Sequence, residues 1–374
     1  MNRRALPVAV LAGAGLFAAL ALPFLYLTPN RLLSGAPHSP QALALAATWA
    51  LVAAFGTTSA KGGPVAVASM AWLLIAGLPL LASIDAHSLL LTTIPSARVP
   101  LGAGFWSMWL AAVLLMLDRL RDVRMAGRIG AWLSLLAALV AMGLGGCFDT
   151  LALVREFHAQ RGPFMDALLT HLVLAATTLV LALVVGVPLG WWAWRTRRTD
   201  GLVVGGLAFL QTVPSLALFA LLIGPFAWLA QAWPALGAIG FGGTGAAPAV
   251  FALVLYALLP VVRYTVAGLG AVPADARDAA RGLGMSRVQL LARVQLPLGW
   301  PVLLAGLRIV AVQTIGLAAV ATLIGAGGLG RFVFLGIGQG ANDMVMLGTL
   351  AIIALALVVD LLFQAMLALT ERRP

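Results

Sequence analysis

The sequence predicts an all-α, polytopic membrane protein of about ten transmembrane helices, and three observations carry that class. The chain is 62 % hydrophobic and 9 % charged, with a mean hydropathy of +1.04, whereas a water-facing surface of this size needs about a quarter charged residues. About ten apolar runs approach the roughly 20 residues that a helix needs to cross a bilayer. The basic residues gather between those runs on alternate sides, as membrane topology requires. A net charge of +11 would suggest nucleic acid in a soluble protein. Here it reports orientation, and no nucleic-acid partner is expected.

The first apolar run, about 5–27, follows Arg3 and Arg4. It continues past Ala19-Leu20-Ala21, a cryptic cleavage site, so a retained anchor is expected rather than a cleaved signal. Runs at about 42–58 and 64–83 are joined by a tight turn at Lys61-Gly62-Gly63, and a polar loop with His87 and Arg98 leads to a fourth at about 104–117. A basic hinge from Asp118 through Asp122 to Arg128 precedes the fifth, about 129–146, after which 151–166 reads as an amphipathic surface helix. The domain boundary is placed near Gly162-Pro163. Residues 1–162 form an N-terminal region of about five spans plus an outer-face connector, and residues 163–374 form a second region. Its spans are about 168–194, ending in Arg195-Thr196-Arg197-Arg198, then 202–230, 248–269, 298–324 and 344–369.

Threading these runs alternately from a cytoplasmic N-terminus places seventeen basic residues inside and five outside, namely Arg31, Arg98, Arg155, Arg161 and Arg331, with Arg308 within a span. That asymmetry satisfies the positive-inside rule and puts both termini in the cytoplasm.

The longest polar island, 273–297, falls on the inner side. Pro273 suits a first helical position, and Asp275 and Asp278 lie near the positive end of the dipole. Gly282 and Gly284 stop this helix. Ser286 with Gln289 three residues later forms a capping box for a second, which runs until Leu296-Pro297 returns the chain to the bilayer.

Asp278-Ala279-Ala280, then Gly284, Val294, Leu296 and Pro297 at fixed distances, resemble the EAA loop of bacterial ABC importer permeases, E-A-A, three residues, G, nine residues, I-x-L-P. Asp replaces Glu and Val replaces Ile. The resemblance implies a C-terminal five-helix permease core whose loop docks into a groove on a cytoplasmic ATPase. It also implies two ATPase subunits that hydrolyse ATP, a second permease copy or a sister permease, an extracytoplasmic solute-binding protein, and an inner-membrane location. Further stretches resemble the osmoprotectant branch for glycine betaine, choline and related quaternary amines. They are Gln211-Thr212-Val213-Pro214-Ser215-Leu216-Ala217, Gly306-Leu307-Arg308 and Ile324-Gly325-Ala326-Gly327-Gly328-Leu329-Gly330. An additional hydrophobic N-terminal half looks like one sub-branch.

Gln211, Thr212, Pro214 and Ser215 are candidates for the translocation path, because Pro214 frees a backbone group that membrane depth tolerates only beside protein or a wet path. A kinked packing helix with its polar groups satisfied by neighbours is the competing reading. Arg308 and Asp360, both roughly 15 Å from the inner face by helical rise, are expected to form a buried ion pair. Trp191, Trp192 and Trp194 read as an interfacial belt rather than a cation cage. Lys61, the one lysine, follows no phosphate-binding loop, so this chain is expected to carry no ATPase or catalytic site of its own. The single cysteine, Cys147, and the scattered His38, His87, His158 and His171 suggest no metal or cofactor site. Alternatives are a permease for another small solute such as an amino acid, or an ion-gradient secondary transporter. The latter needs midplane acids and an inverted repeat.

Overall fold

The computed structural model describes residues 5–371 apart from 31, 32, 34, 58–62, 95, 122, 197–199, 239 and 240. Lys61 and Gly62 of the expected turn, Asp122 of the basic hinge, and Arg3, Arg4, Arg31, Arg197, Arg198, Arg372 and Arg373 of the charge asymmetry lie outside them. Two compact units emerge. One comprises residues up to Gln160 together with Gly336–Met344, and the other Arg161–Leu335 together with the residues from Val345 on. The expected division near 162 assigned Gly336–Met344 to the second region. It groups with the first, where Asp343 Oδ2 lies 3.9 Å from Arg98 Nη1.

In the first unit α1 (Ala5–Ala21) ends earlier than the expected 5–27. Leu25–Leu27 instead forms β1, paired antiparallel with β2 (Ala36–His38). Pro23 has no N–H to continue the helix, and Tyr26 and Thr28 donate to the carbonyls of Pro100 and Arg98. Helix α2 (Ala42–Thr57) follows, then α3 (Gly63–Leu91), which is long enough to absorb His87 from the expected loop. Next come α4 (Ala103–Leu120) and α5 (Met125–Leu144). The surface helix is α6 (Ala152–Ala159), shorter than 151–166 because α7 (Arg161–Thr196) starts there. Pro163 falls in the first turn of α7, where its missing N–H costs nothing. Trp49, Met108 and Leu115 are fully buried in the core of this unit.

The second unit continues with α8 (Asp200–Thr212), α9 (Ser215–Ala232), α10 (Pro234–Ala238) and α11 (Ala246–Gly270). The helices α12 (Ala274–Gly282), α13 (Arg287–Leu290) and α14 (Leu296–Val320) come next. Short α15 (Gly330–Gln339) and long α16 (Asn342–Glu371) follow, the end of α15 and the start of α16 falling within Gly336–Met344 of the first unit. The expected single span over 202–230 is two helices, α8 and α9, broken at Val213-Pro214.

Helix α11 lies against α7 and α14. A Cβ at Gly186 would stand 2.7 Å from Val261 Cγ1, and one at Gly190 2.6 Å from Thr265 Cβ. Two glycines four apart thus bring the backbones of α7 and α11 together, the small-residue packing that membranes favour where no hydrophobic effect drives association. His171, fully buried on α7, accepts from Leu329 N–H at Nδ1 (3.3 Å), which leaves Nε2–H to donate to the Ile315 carbonyl (3.0 Å). One imidazole therefore fixes α7 to α14 and to the glycine turn beyond it.

Among the described residues eight helices are long and apolar enough to cross a membrane, and three shorter apolar ones, Leu6–Ala21, Ala42–Gly56 and Gly201–Thr212, accompany them. The expected count of about ten is not reproduced by length alone. Both α1 and α2 fall short, and the break at Pro214 shortens α8.

Candidate functional site

Helix α12 opens after Pro273, which is the N-cap rather than the first helical residue, and closes at Gly284, whose φ of +75° is open to glycine at little cost. Gly282 is helical, so Gly284 alone makes the turn. Leu283, Gly284 and Met285 donate to the carbonyls of Ala279, Arg281 and Ala280, which satisfies the helix end. Ser286 Oγ accepts from Gln289 N–H (3.3 Å) and Gln289 Oε1 accepts from Ser286 N–H (2.8 Å), a complete capping box.

The second helix does not stop at Pro297. Arg287–Ile324 is one continuous helical stretch, and Leu291–Gln295 within it is π-helical, with Leu296 N–H donating to Leu291 O. Pro297 offers no N–H to the Arg293 carbonyl and its ring crowds that group, so the preceding turn widens by one residue instead of ending. This hairpin is anchored by Ala280 and Leu290, both buried, while Leu283 is 78 % and Val288 75 % exposed. Asp278 and Ala279 are exposed, and Asp278 pairs with Arg281 at 2.9 Å. The polar hairpin therefore carries two uncovered aliphatic side chains at its tip and on its second helix.

Between the apolar helices, two prolines are joined reciprocally. Pro260 in α11 leaves the Tyr256 carbonyl without its helical donor, and Gln211 Nε2–H supplies one at 2.8 Å. The Tyr256 hydroxyl in turn donates to the Val213 carbonyl at the Pro214 break. Gln211 is thus tied to a neighbouring helix through its amide. Thr212 Oγ1 donates back to Phe209 O.

Gln211 also lines a cavity of about 360 Å³ with Leu259, Pro260, Arg263, Tyr264, Ala267, Ile309 and Gln313. Thr212, Pro214 and Ser215 are not among its walls. A Cβ at Gly306 would sit 2.1 Å from Tyr264 Cγ, so Tyr264 rests against a glycine-sized recess in α14.

Arg308 and Asp360 meet between α14 and α16. Arg308 Nη2 lies 3.0 Å from Asp360 Oδ2, Nε donates to Oδ1, and Gln364 Nε2 adds a third bond. Their side chains are 36 % and 24 % exposed, so the pair is half-buried within this chain rather than buried. Trp191 carries Arg195 over its ring at 5.7 Å.

Sequence reasoning missed Tyr256, Arg263, Tyr264 and Gln313. The spacing Tyr256 to Pro260 was the available signal, because any proline in a membrane helix asks which donor serves the carbonyl four residues earlier.

Apolar helices that carry a polar, locally capped hairpin define a multi-pass membrane protein. Residues 182–374 match the binding-protein-dependent transport system inner membrane components, and residues 3–154 match the N-terminal domain described as that of the ABC transporter permease YehY. The chain belongs to the family of binding-protein-dependent transport system inner membrane components.

It is 40 % identical over 203 residues to the osmoprotectant import permease protein OsmW of Salmonella typhimurium, covering 54 % of this chain and 89 % of that one. It is 37 % identical over 190 residues to the carnitine transport permease protein OpuCB of Listeria monocytogenes, covering 51 % and 80 %. The inward-facing MetNI methionine ABC transporter shares the fold, with a TM-score of 0.50 at 18 % identity over 57 % of this chain and 99 % of that one.

Proposed function

We propose that this chain is the membrane-spanning subunit of an ATP-driven importer for glycine betaine, choline or a related quaternary-amine osmoprotectant. The substrate class is supported by the similarity to OsmW and OpuCB. The observation that carries the mechanism is the hairpin 273–297, with Asp278, Ala279, Ala280, Gly284, Val294, Leu296 and Pro297 at coupling-loop spacing and with Leu283 and Val288 uncovered. Two aliphatic side chains exposed on a polar hairpin suit insertion into the groove of a partner protein.

In this reading two cytoplasmic ATPases bind and hydrolyse ATP, each engaging one hairpin, and the chain itself holds no cofactor. A second permease copy or a sister permease completes the pair of hairpins, and an extracytoplasmic binding protein delivers solute near the turn Gly325 to Gly330. Closure of the ATPases draws the hairpins together. Because Arg287–Ile324 is one continuous helix, that displacement passes directly into a membrane span. Both termini are cytoplasmic, residues 1–162 form an N-terminal membrane region, and residues 163–374 form the permease core. Gln211 belongs to the path, and Thr212, Pro214 and Ser215 shape the break beside it.

Co-purification of this chain with its ATPase, wild type against Gly284→Asp, tests the coupling assignment. Ligand-stimulated ATP hydrolysis with a panel of betaines and amino acids tests the substrate class. Loss of ATPase association in the variant is expected. Retained association contradicts the coupling role, and stimulation by an amino acid alone favours the other-solute reading.

A further inference from the structure

We propose that the cavity walled by α8, α11 and α14 is a solute site that selects for a carboxylate, so that the transporter prefers carboxylated quaternary amines to choline. This rests on the osmoprotectant reading and specifies its substrate.

The argument starts from charge. An arginine on a membrane-spanning helix is costly unless something answers it. Arg308 is answered by Asp360. Arg263, seven residues before the inner end of α11, is exposed, has no carboxylate partner among the described residues, and lines a cavity of about 360 Å³, so its charge is free to meet a solute there. That volume lies within the range of small-molecule sites.

The remaining walls fit the rest of such a solute. Gln313 on α14 adds an amide donor to the same lining as the Arg263 guanidinium, and both groups suit anionic oxygens. Leu259, Pro260, Ala267 and Ile309 offer an apolar face to methyl groups. Tyr264, seated against Gly306, adds an aromatic ring of the kind that attracts a methylated cation. Gln211, committed through its Nε2 to the Tyr256 carbonyl, fixes the α8 wall in place.

A betaine presents a carboxylate and a trimethylammonium, which suit the polar and the apolar and aromatic residues of this lining respectively. Choline presents the same cation with a neutral hydroxyl. It leaves Arg263 without an anion and adds a like charge to the cavity.

The test uses the complete transporter in proteoliposomes, with ATPase and binding protein, and compares ATP-driven uptake of glycine betaine and choline. Wild type is expected to favour glycine betaine. Arg263→Gln lowers the betaine-to-choline uptake ratio about tenfold or more, the scale of one charge-assisted hydrogen bond, and Arg263→Lys retains most of it. An unchanged ratio in Arg263→Gln, or a wild type that moves choline but no carboxylated amine, overturns the proposal.

A second measurement, equilibrium binding of glycine betaine to the wild-type chain in nanodiscs with choline as competitor, stands apart from assembly and coupling. Choline competing as well as a second carboxylated betaine refutes the carboxylate site. If an assembled wild-type transporter imports no quaternary amine, the osmoprotectant reading fails, and the nanodisc measurement still decides the cavity.

Discussion

Arg281 with Asp278 and Arg308 with Asp360 are ion pairs of nearly equal reach in opposite surroundings. The first closes at 2.9 Å within one turn of α12, with side chains 63 % and 67 % exposed. The second joins two apolar helices, α14 and α16, at 3.0 Å with a third bond from Gln364. In water a lost partner is replaced by solvent, so the hairpin pair contributes little. Between apolar helices the half-buried second pair finds a replacement less readily, so it holds two helices together largely because separation is costly. The same contrast governs the backbone. The hairpin satisfies its helix ends with its own residues, through Ser286, Gln289 and Gly284. The break at Pro214 and the gap at Pro260 are satisfied by side chains from another helix.

Breaking the membrane pair has the largest expected effect. Arg308→Met leaves Asp360 without its cation and, for a half-buried pair, costs about 2 kcal/mol, read as a lowered unfolding temperature in detergent. Combining it with Asp360→Leu restores most of the loss. A double variant as unstable as the single one contradicts the pairing account. Next comes Tyr256→Phe, which strips the donor from the Val213 carbonyl and costs about 1 kcal/mol. In a double-mutant cycle with Gln211→Leu the two losses are non-additive, because both act on one clasp.

Ser286→Ala removes the cap of α13 at about 1 kcal/mol. Its effect is confined to faster hydrogen exchange over 287–295, with the global unfolding temperature nearly unmoved. The smallest effect is that of Arg281→Ala, within about 0.5 kcal/mol for an exposed i,i+3 pair. A large shift there shows that the hairpin lies in a drier place than its exposure indicates.

The contrast also explains what the sequence disclosed. The capping box at Ser286 and the turn at Gly284 were legible because every group involved lies within a few residues. The Arg308–Asp360 geometry agrees with the simple argument that two charges in adjacent apolar spans need each other. The Tyr256–Val213 and Gln211–Tyr256 bonds were not legible, since partners more than 40 positions apart leave no local pattern. Pro297 was read as a stop because proline usually ends a helix, yet a π-helical turn absorbed it and made the hairpin continuous with α14. The expected span over 5–27 failed for a related reason. Its last residues had a better use in pairing with the strand Ala36–His38 and the bridge at Leu101 than in prolonging a helix.

Site-directed cross-linking addresses the hairpin most directly. On a Cys147→Ser background, Leu283→Cys and Val288→Cys place thiols on the two uncovered side chains. In membranes containing the whole transporter, both are expected to cross-link to the ATPase subunit, and Leu283→Cys is expected to lose that product when Gly284→Asp is added. Labelling of position 283 by an impermeant reagent from the outer face, with no ATPase adduct, would contradict the proposal that this hairpin receives the ATPase stroke.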